Sequence, residues 1–160
     1  MIDSGPTQAR GTAARASQLN IVRRMSLGVA LALLVQYALG MVVNLYATVP
    51  ARDHGGGILT AAGRAFSAGP AALAVHAGLG LLLIAGGINL VIRSARSRHR
   101  ALIWLSAVSL ASILGAAVNG AAFVNSGAAG ASLAMALLTG VALACSVLSL
   151  YVLSPAPGPR

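Results

Sequence analysis

Four long apolar runs decide what this chain can become. They cover about 25–49, 70–92, 101–125 and 129–153, and no Asp, Glu, Lys or Arg falls inside any of them. A helix rises 1.5 Å per residue, so roughly 20 apolar residues cross the ~30 Å hydrocarbon layer of a bilayer. Each run is long enough. Each is also continuous, whereas strands of a membrane barrel alternate apolar and polar over about ten residues. The reading is one all-α domain at 25–153: a transmembrane four-helix bundle, up-down-up-down. No internal repeat is evident.

The charges agree with a bilayer. Of 160 residues, 58% are hydrophobic and only 8% charged, where a soluble domain carries about 25% charged residues. All eleven basic residues are Arg, and the only acids are Asp3 and Asp53. The net charge of +9 does not point to nucleic acid, because the arginines stand before and between the spans. There they meet lipid head groups and fix orientation. The one cysteine, Cys145, lies inside an apolar run; a single cysteine excludes an intrachain disulfide and reads as a small core or lipid-facing side chain.

Residues 1–24 are basic and rich in Ser, Thr, Gly and Ala, a composition that predicts a disordered N-terminal tail. The run after it is too long for the core of a signal peptide, about 7–15 residues, so it reads as a retained span. Residues 154–160 form a short C-terminal tail after the fourth run, which Pro155 and Pro157 stop. Pro70 suits the first position of the second helix.

The connections differ. Loop one, about 48–69, holds the Gly triplet 55–57 and then ILTAAGRAF. That stretch spaces Ile58, Ala62 and Phe66 for a short interfacial helix, or else for an apolar loop. Loop two, 93–100, is RSARSRHR, and loop three spans only about 126–128. Arg10, Arg15, Arg23 and Arg24 precede the first span, and Arg93, Arg96, Arg98 and Arg100 fill loop two. Loop one has Arg52 and Arg64 beside Asp53, and loop three has no arginine. The positive-inside rule therefore places both termini and loop two in the cytoplasm of a cell whose plasma membrane holds the chain. An Arg-only, Ala- and Gly-heavy composition suggests a bacterium with a GC-rich genome. Tyr46 falls near an outer helix end, and Trp104 and Tyr151 near inner ends, as interfacial aromatics do.

Apolar burial does not drive helices together in lipid, so small residues at close-packed interfaces must. Rows four apart supply them: Gly28, Ala32, Gln36, Gly40 and Asn44 in the first span; Ala74, Gly78 and Gly86 in the second. The third has Ala107, Ala111, Gly115 and Asn119, and the fourth Ser132, Ala136, Gly140 and Ala144. Gln36, Asn44 and Asn119 fall on these rows, and an amide facing lipid is costly, so they should face the bundle.

Span midpoints and the helical rise place His76 roughly 8 Å outside the bilayer centre. Asn119 and Met135 fall at a similar depth, Asn44 slightly farther out, and Gln36 near the centre. Gln36, Asn44, His76 and Asn119 thus make a candidate polar cluster inside the bundle. Three readings of His76 are open. It is a neutral imidazole hydrogen-bonded to Asn44 or Asn119 that ties helices together. Or it is an axial ligand of haem b, with Met135 or Met41 opposite and His54 as a further candidate. Or it serves a proton or weak metal role with His54 and Asp53. Against haem, one intramembrane histidine makes half of the usual pair, and His99 lies on the cytoplasmic side.

Enzyme signatures are absent. The chain has no Glu, no G-x-S-x-G elbow and no Walker loop. Ser67, His54 and Asp53 are a set of loop residues with no distinguishing spacing.

The stretch ALGMVVNLYATVPARD at 38–53, then LAVHAGLGLLL and LGAAVNGAAFV, resembles a group of small, uncharacterised four-span membrane proteins of actinobacteria. The matching features are Asn44 ahead of Thr48 to Pro50, His76 ahead of Gly78 and Gly80, and Asn119 with Gly120. The resemblance covers about 38–126 and implies architecture alone, since the group carries no assigned activity. The layout is also similar to half of a haem A synthase or a b-type cytochrome bundle, without their paired histidines. Together these readings give a non-enzymatic scaffold, accessory subunit or ligand-holding bundle without a cofactor. The alternatives are a haem b-binding redox subunit using His76 and an oligomeric small transporter subunit. The expected partners are membrane lipids and either further copies of the chain or a larger membrane complex, and no nucleic acid.

Overall fold

The computed structural model describes residues 6–46, 57, 60, 63, 66, 67 and 70–154. Four helices carry the chain: α1 Pro6–Tyr46, α2 Ala71–Ser97, α3 Arg100–Ser126 and α4 Ala129–Val152. No strand occurs among the described residues. Each helix packs on the next and α4 returns to α1, while the diagonal pairs α1/α3 and α2/α4 do not meet. The result is a four-sided, up-down-up-down bundle. All four helices are long and apolar enough to cross a membrane, α1 from Ala16 onward. Large apolar side chains such as Leu34, Leu82, Leu114 and Leu137 stay exposed on each helix, as lipid-facing residues must. The chain is therefore a multi-pass membrane protein.

The helix ends follow local chemistry. Pro70 sits one position before the expected one, as the cap of α2, and its carbonyl accepts the N–H of Leu73 at 2.8 Å and of Ala74 at 3.2 Å. Between α2 and α3 only Arg98 and His99 are non-helical. Arg98 takes the left-handed conformation at φ 55°, and its N–H reaches the Ala95 carbonyl at 3.2 Å. The eight-residue loop expected at 93–100 thus shrinks to two residues. Arg, Ala and Ser all tolerate a helix, and arginines at a membrane edge extend their heads to water without unwinding the backbone. Between α3 and α4, Gly127 turns the chain at φ 64°, where a residue without Cβ meets no penalty. Its N–H donates to the Phe123 carbonyl at 2.7 Å.

One further expectation is corrected. The basic segment before Met25 is helical back to Pro6, where a disordered tail was expected. Ala, Gln and Arg are good helix formers, and Val22 and Ser26 are fully buried in the bundle, so packing extends the helix beyond the apolar run. Of the proposed loop-one helix, Thr60, Gly63, Phe66 and Ser67 are helical, and the Ser67 hydroxyl donates to the Gly63 carbonyl at 2.9 Å. Ile58, Ala62 and Arg64, like Arg52, Asp53 and His54, lie outside the described residues.

The rows of small residues only partly face inward. Gly28 and Gly140 have nothing within 4 Å of an added Cβ, and Ala111 and Ala144 are exposed. Four residues turn a helix by 400°, so a long row at that spacing drifts off any one face. The tight interfaces instead use glycines near leucines: Gly87 against Leu110, and Gly115 against Leu138, both at 3.1 Å from an added Cβ. Serines do the rest. Ser26, Ser94, Ser106, Ser109, Ser146 and Ser149 are all buried, in the half of the bundle that holds the chain termini. Three of these hydroxyls bond back within the helix, from Ser106 to the Ile103 carbonyl at 3.0 Å, from Ser146 to the Ala142 carbonyl at 3.0 Å and from Ser149 to the Cys145 carbonyl at 2.8 Å, while those of Ser26 and Ser94 have no partner among the described residues. Ser109 reaches across from α3 to the same Ala142 carbonyl at 3.4 Å. Small hydroxyl side chains let backbones approach closely.

Candidate functional site

The other half of the bundle, which carries the α1–α2 and α3–α4 connections, is less filled. A cavity of about 350 Å³ opens there between all four helices. This lies within the ~300–1,000 Å³ of pockets that hold small molecules. α1 lines it from Leu33 to Asn44, α2 from Leu73 to Ile84, α3 from Ile113 to Val124 and α4 from Ser132 to Thr139. The lining positions on α1 include 33, 36, 37, 40 and 44, one helical face. The space exists because small residues face it: Gly40, Ala77, Gly80, Ala116, Gly120 and Ala136.

The wall is apolar apart from a few groups, most of them paired. Thr139 donates to the Met135 carbonyl at 2.8 Å. The Ser132 hydroxyl donates to the Asn44 Oδ1 at 3.3 Å, tying α4 to α1. Among the described residues, no charged side chain lines the cavity.

The exception is Gln36 with His76. The Gln36 Nε2 donates to the His76 main-chain carbonyl at 3.1 Å and stands 3.3 Å from the His76 Nε2. Two glycines make this approach possible. A Cβ on Gly40 would sit 3.2 Å from the His76 Cε1, and one on Gly80 would sit 3.4 Å from the Gln36 Nε2. Each helix thus offers a polar side chain and, four residues later, a glycine seat for the other's side chain. The carbonyl contact fixes which end of the amide is nitrogen, since an amide oxygen there would face another oxygen. A nitrogen donor facing the His76 Nε2 makes that atom the acceptor, so the ring hydrogen resides on Nδ1. Two atoms are then left over. The Gln36 Oε1, an acceptor, and the His76 Nδ1, a donor, are buried with no partner among the described residues. Each such atom costs about 1–3 kcal/mol when left unmade.

The structure brings together most of the residues singled out from sequence, in a different pairing. Gln36, Met41, Asn44, His76 and Met135 line the cavity. Asn119 does not: its amide nitrogen turns back to the Gly115 carbonyl of its own helix at 2.8 Å. His76 pairs with Gln36 rather than with Asn44 or Asn119. The estimate of depth placed Gln36 near the centre because it began α1 at 25; α1 spans from Ala16, which moves Gln36 beyond the midpoint. Met41 is about half exposed. The Met135 sulfur packs 3.3 Å from an added Cβ on Gly120, filling the α3–α4 seam. Sequence reasoning missed the glycine seats Gly40 and Gly80, although Gln-x3-Gly and His-x3-Gly stood in plain view, and it missed Ser132 as the partner of Asn44.

The arrangement does not suit haem. The His76 Nε2 faces the Gln36 amide, and its Nδ1 is buried 3.8 Å from the Cβ position of Gly40. An axial ligand needs one ring nitrogen free to meet iron, and neither is so placed.

Comparison of the chain with family models, with curated proteins and with solved structures returned no match. The functional reading therefore rests on the site itself.

Proposed function

We propose that this protein is a non-enzymatic, ligand-holding bundle of a bacterial plasma membrane. It takes a small, mostly apolar molecule from the bilayer into the cavity between its four helices. The observation that carries the reading is the cavity of about 350 Å³ with apolar walls and a single under-satisfied polar pair, Gln36 and His76. An apolar hollow with a few convergent polar groups is the usual form of a small-molecule site. The absence of charge in the wall argues for a neutral ligand. Both termini lie in the cytoplasm on this reading. Supporting that orientation, Arg23, Arg24, Arg96, Arg98 and Arg100 are exposed at the terminal end of the bundle.

The test is saturable binding of an environment-sensitive apolar dye to the full chain in lipid nanodiscs. Ala116→Phe on α3 and Ala77→Phe on α2 each place a ring in the cavity. The dye should bind the natural chain stoichiometrically and both variants at least tenfold more weakly. Equal binding to all three would place the dye elsewhere and refute the reading.

A further inference from the structure

The chemistry left open by Gln36 and His76 says more about the ligand than the cavity's size does. We infer that the molecule held in the cavity carries a neutral hydroxyl head, as a long-chain alcohol or a phenol does, seated between the Gln36 Oε1 and the His76 Nδ1. This rests on the ligand-holding reading above and sharpens it.

The argument is one of hydrogen-bond accounting. Gln36 uses both amide hydrogens, one toward the His76 carbonyl at 3.1 Å and one toward the His76 Nε2 at 3.3 Å. What remains is one acceptor, the Gln36 Oε1, and one donor, the His76 Nδ1–H, both buried and without a partner among the described residues. A group that answers both must donate once and accept once. A hydroxyl does this with a single atom. An ester, ether or ketone oxygen only accepts, and leaves the Gln36 Oε1 unmade. An ammonium only donates, and leaves the His76 Nδ1 unmade. An ionised carboxylate finds no cation among the described residues of the wall.

Two other polar groups of the wall are already engaged. Asn44 is joined to Ser132 at 3.3 Å, and Thr139 to the Met135 carbonyl at 2.8 Å. The polar end is therefore fixed at the α1–α2 seam. The apolar remainder lies along the side of the cavity formed by Ile113, Ala116 and Ala136. Neither open atom is exposed in the structure, so the head reaches them when the wall beside them parts while both Gln36 bonds to His76 stay made.

The experiment displaces the bound dye from the full chain in nanodiscs with three twelve-carbon probes: dodecanol, dodecyl methyl ether and dodecane. On the natural chain, dodecanol should displace the dye on the order of tenfold more tightly than either of the others. In His76→Phe and in Gln36→Met the three probes should become alike. If dodecanol and dodecane are equal on the natural chain, and Ala116→Phe still abolishes dye binding, the hydroxyl assignment is overturned and the cavity reading stands. If the ether matches the alcohol, the Gln36 Oε1 plays no part and the assignment is likewise overturned. If the dye never binds saturably, the cavity reading has failed before the head group is in question. The comparison among probes is made on the natural chain, so it does not depend on the variants folding.

Discussion

Gln36 and His76 hold each other across the α1–α2 interface, amide nitrogen to ring nitrogen at 3.3 Å, with each side chain lying over a glycine of the opposite helix. The pair binds the two helices together. It also leaves one donor and one acceptor buried without a partner among the described residues. On the proposed function, stability and ligand recognition draw on the same two residues, and separate measurements distinguish the two roles.

The energetic coupling of the pair is measurable by a double-mutant cycle. His76→Leu and Gln36→Leu should each destabilise the bundle, and the double variant should cost less than the sum by about 0.5–2 kcal/mol, the range for hydrogen bonds between membrane helices. Reversible unfolding in mixed detergent micelles reads the values. The same cycle between His76 and Asn119 should give a coupling near zero, because Asn119 bonds within its own helix.

The glycine seats should tolerate no bulk. Gly40→Leu would drive a side chain into the imidazole, whose Cε1 already lies 3.2 Å from an added Cβ. Overpacking of this kind costs about 1–3 kcal/mol. Gly28→Leu and Gly140→Leu, where nothing lies within 4 Å, should fall within about 0.5 kcal/mol of the natural chain. A similar loss at all three positions would mean that the exposed glycines face a partner.

Much of this fold was legible in the sequence, and the reasons are specific. Four uncharged runs, the tight turn before Ala129 and the arginines between the second and third runs predicted the bundle and its order. Helix ends were less legible: the segment before Met25 reads as a tail by composition, yet Val22 and Ser26 are buried in the bundle. The site was half legible. His76 and Gln36 stood out as polar residues in apolar runs, but periodicity gives the face of one helix, not its axial register against another. The register brings Gly40 to His76 and Gly80 to Gln36, and it decided the pairing. The serine-rich interface was missed because Ser106, Ser109 and Ser112 read as ordinary small residues until their common burial was seen.

A haem-ligand role would require the imidazole to leave Gln36, and this too can be checked. Protein expressed with ample haem, then purified in mild detergent, should show no Soret band that depends on His76. A band that sharpens with dithionite and vanishes in His76→Ala would mean that the ring turns away from Gln36 to meet iron.

The orientation proposed from the arginines is open to labelling. In a Cys145→Ala background, single cysteines replacing Arg98 and Gly127 mark the two ends of the bundle. A membrane-impermeant thiol reagent applied to intact cells should label position 127 and spare position 98. The reverse pattern would put the termini outside.

The most direct measurement is the mass of the intact protein released gently from nanodiscs into the gas phase. The account predicts a population carrying one neutral adduct of a few hundred daltons, on the order of what such a cavity holds, reduced or lost in Ala116→Phe. A bare chain from a membrane that retains its lipids, or an adduct equally abundant in Ala116→Phe, would contradict it.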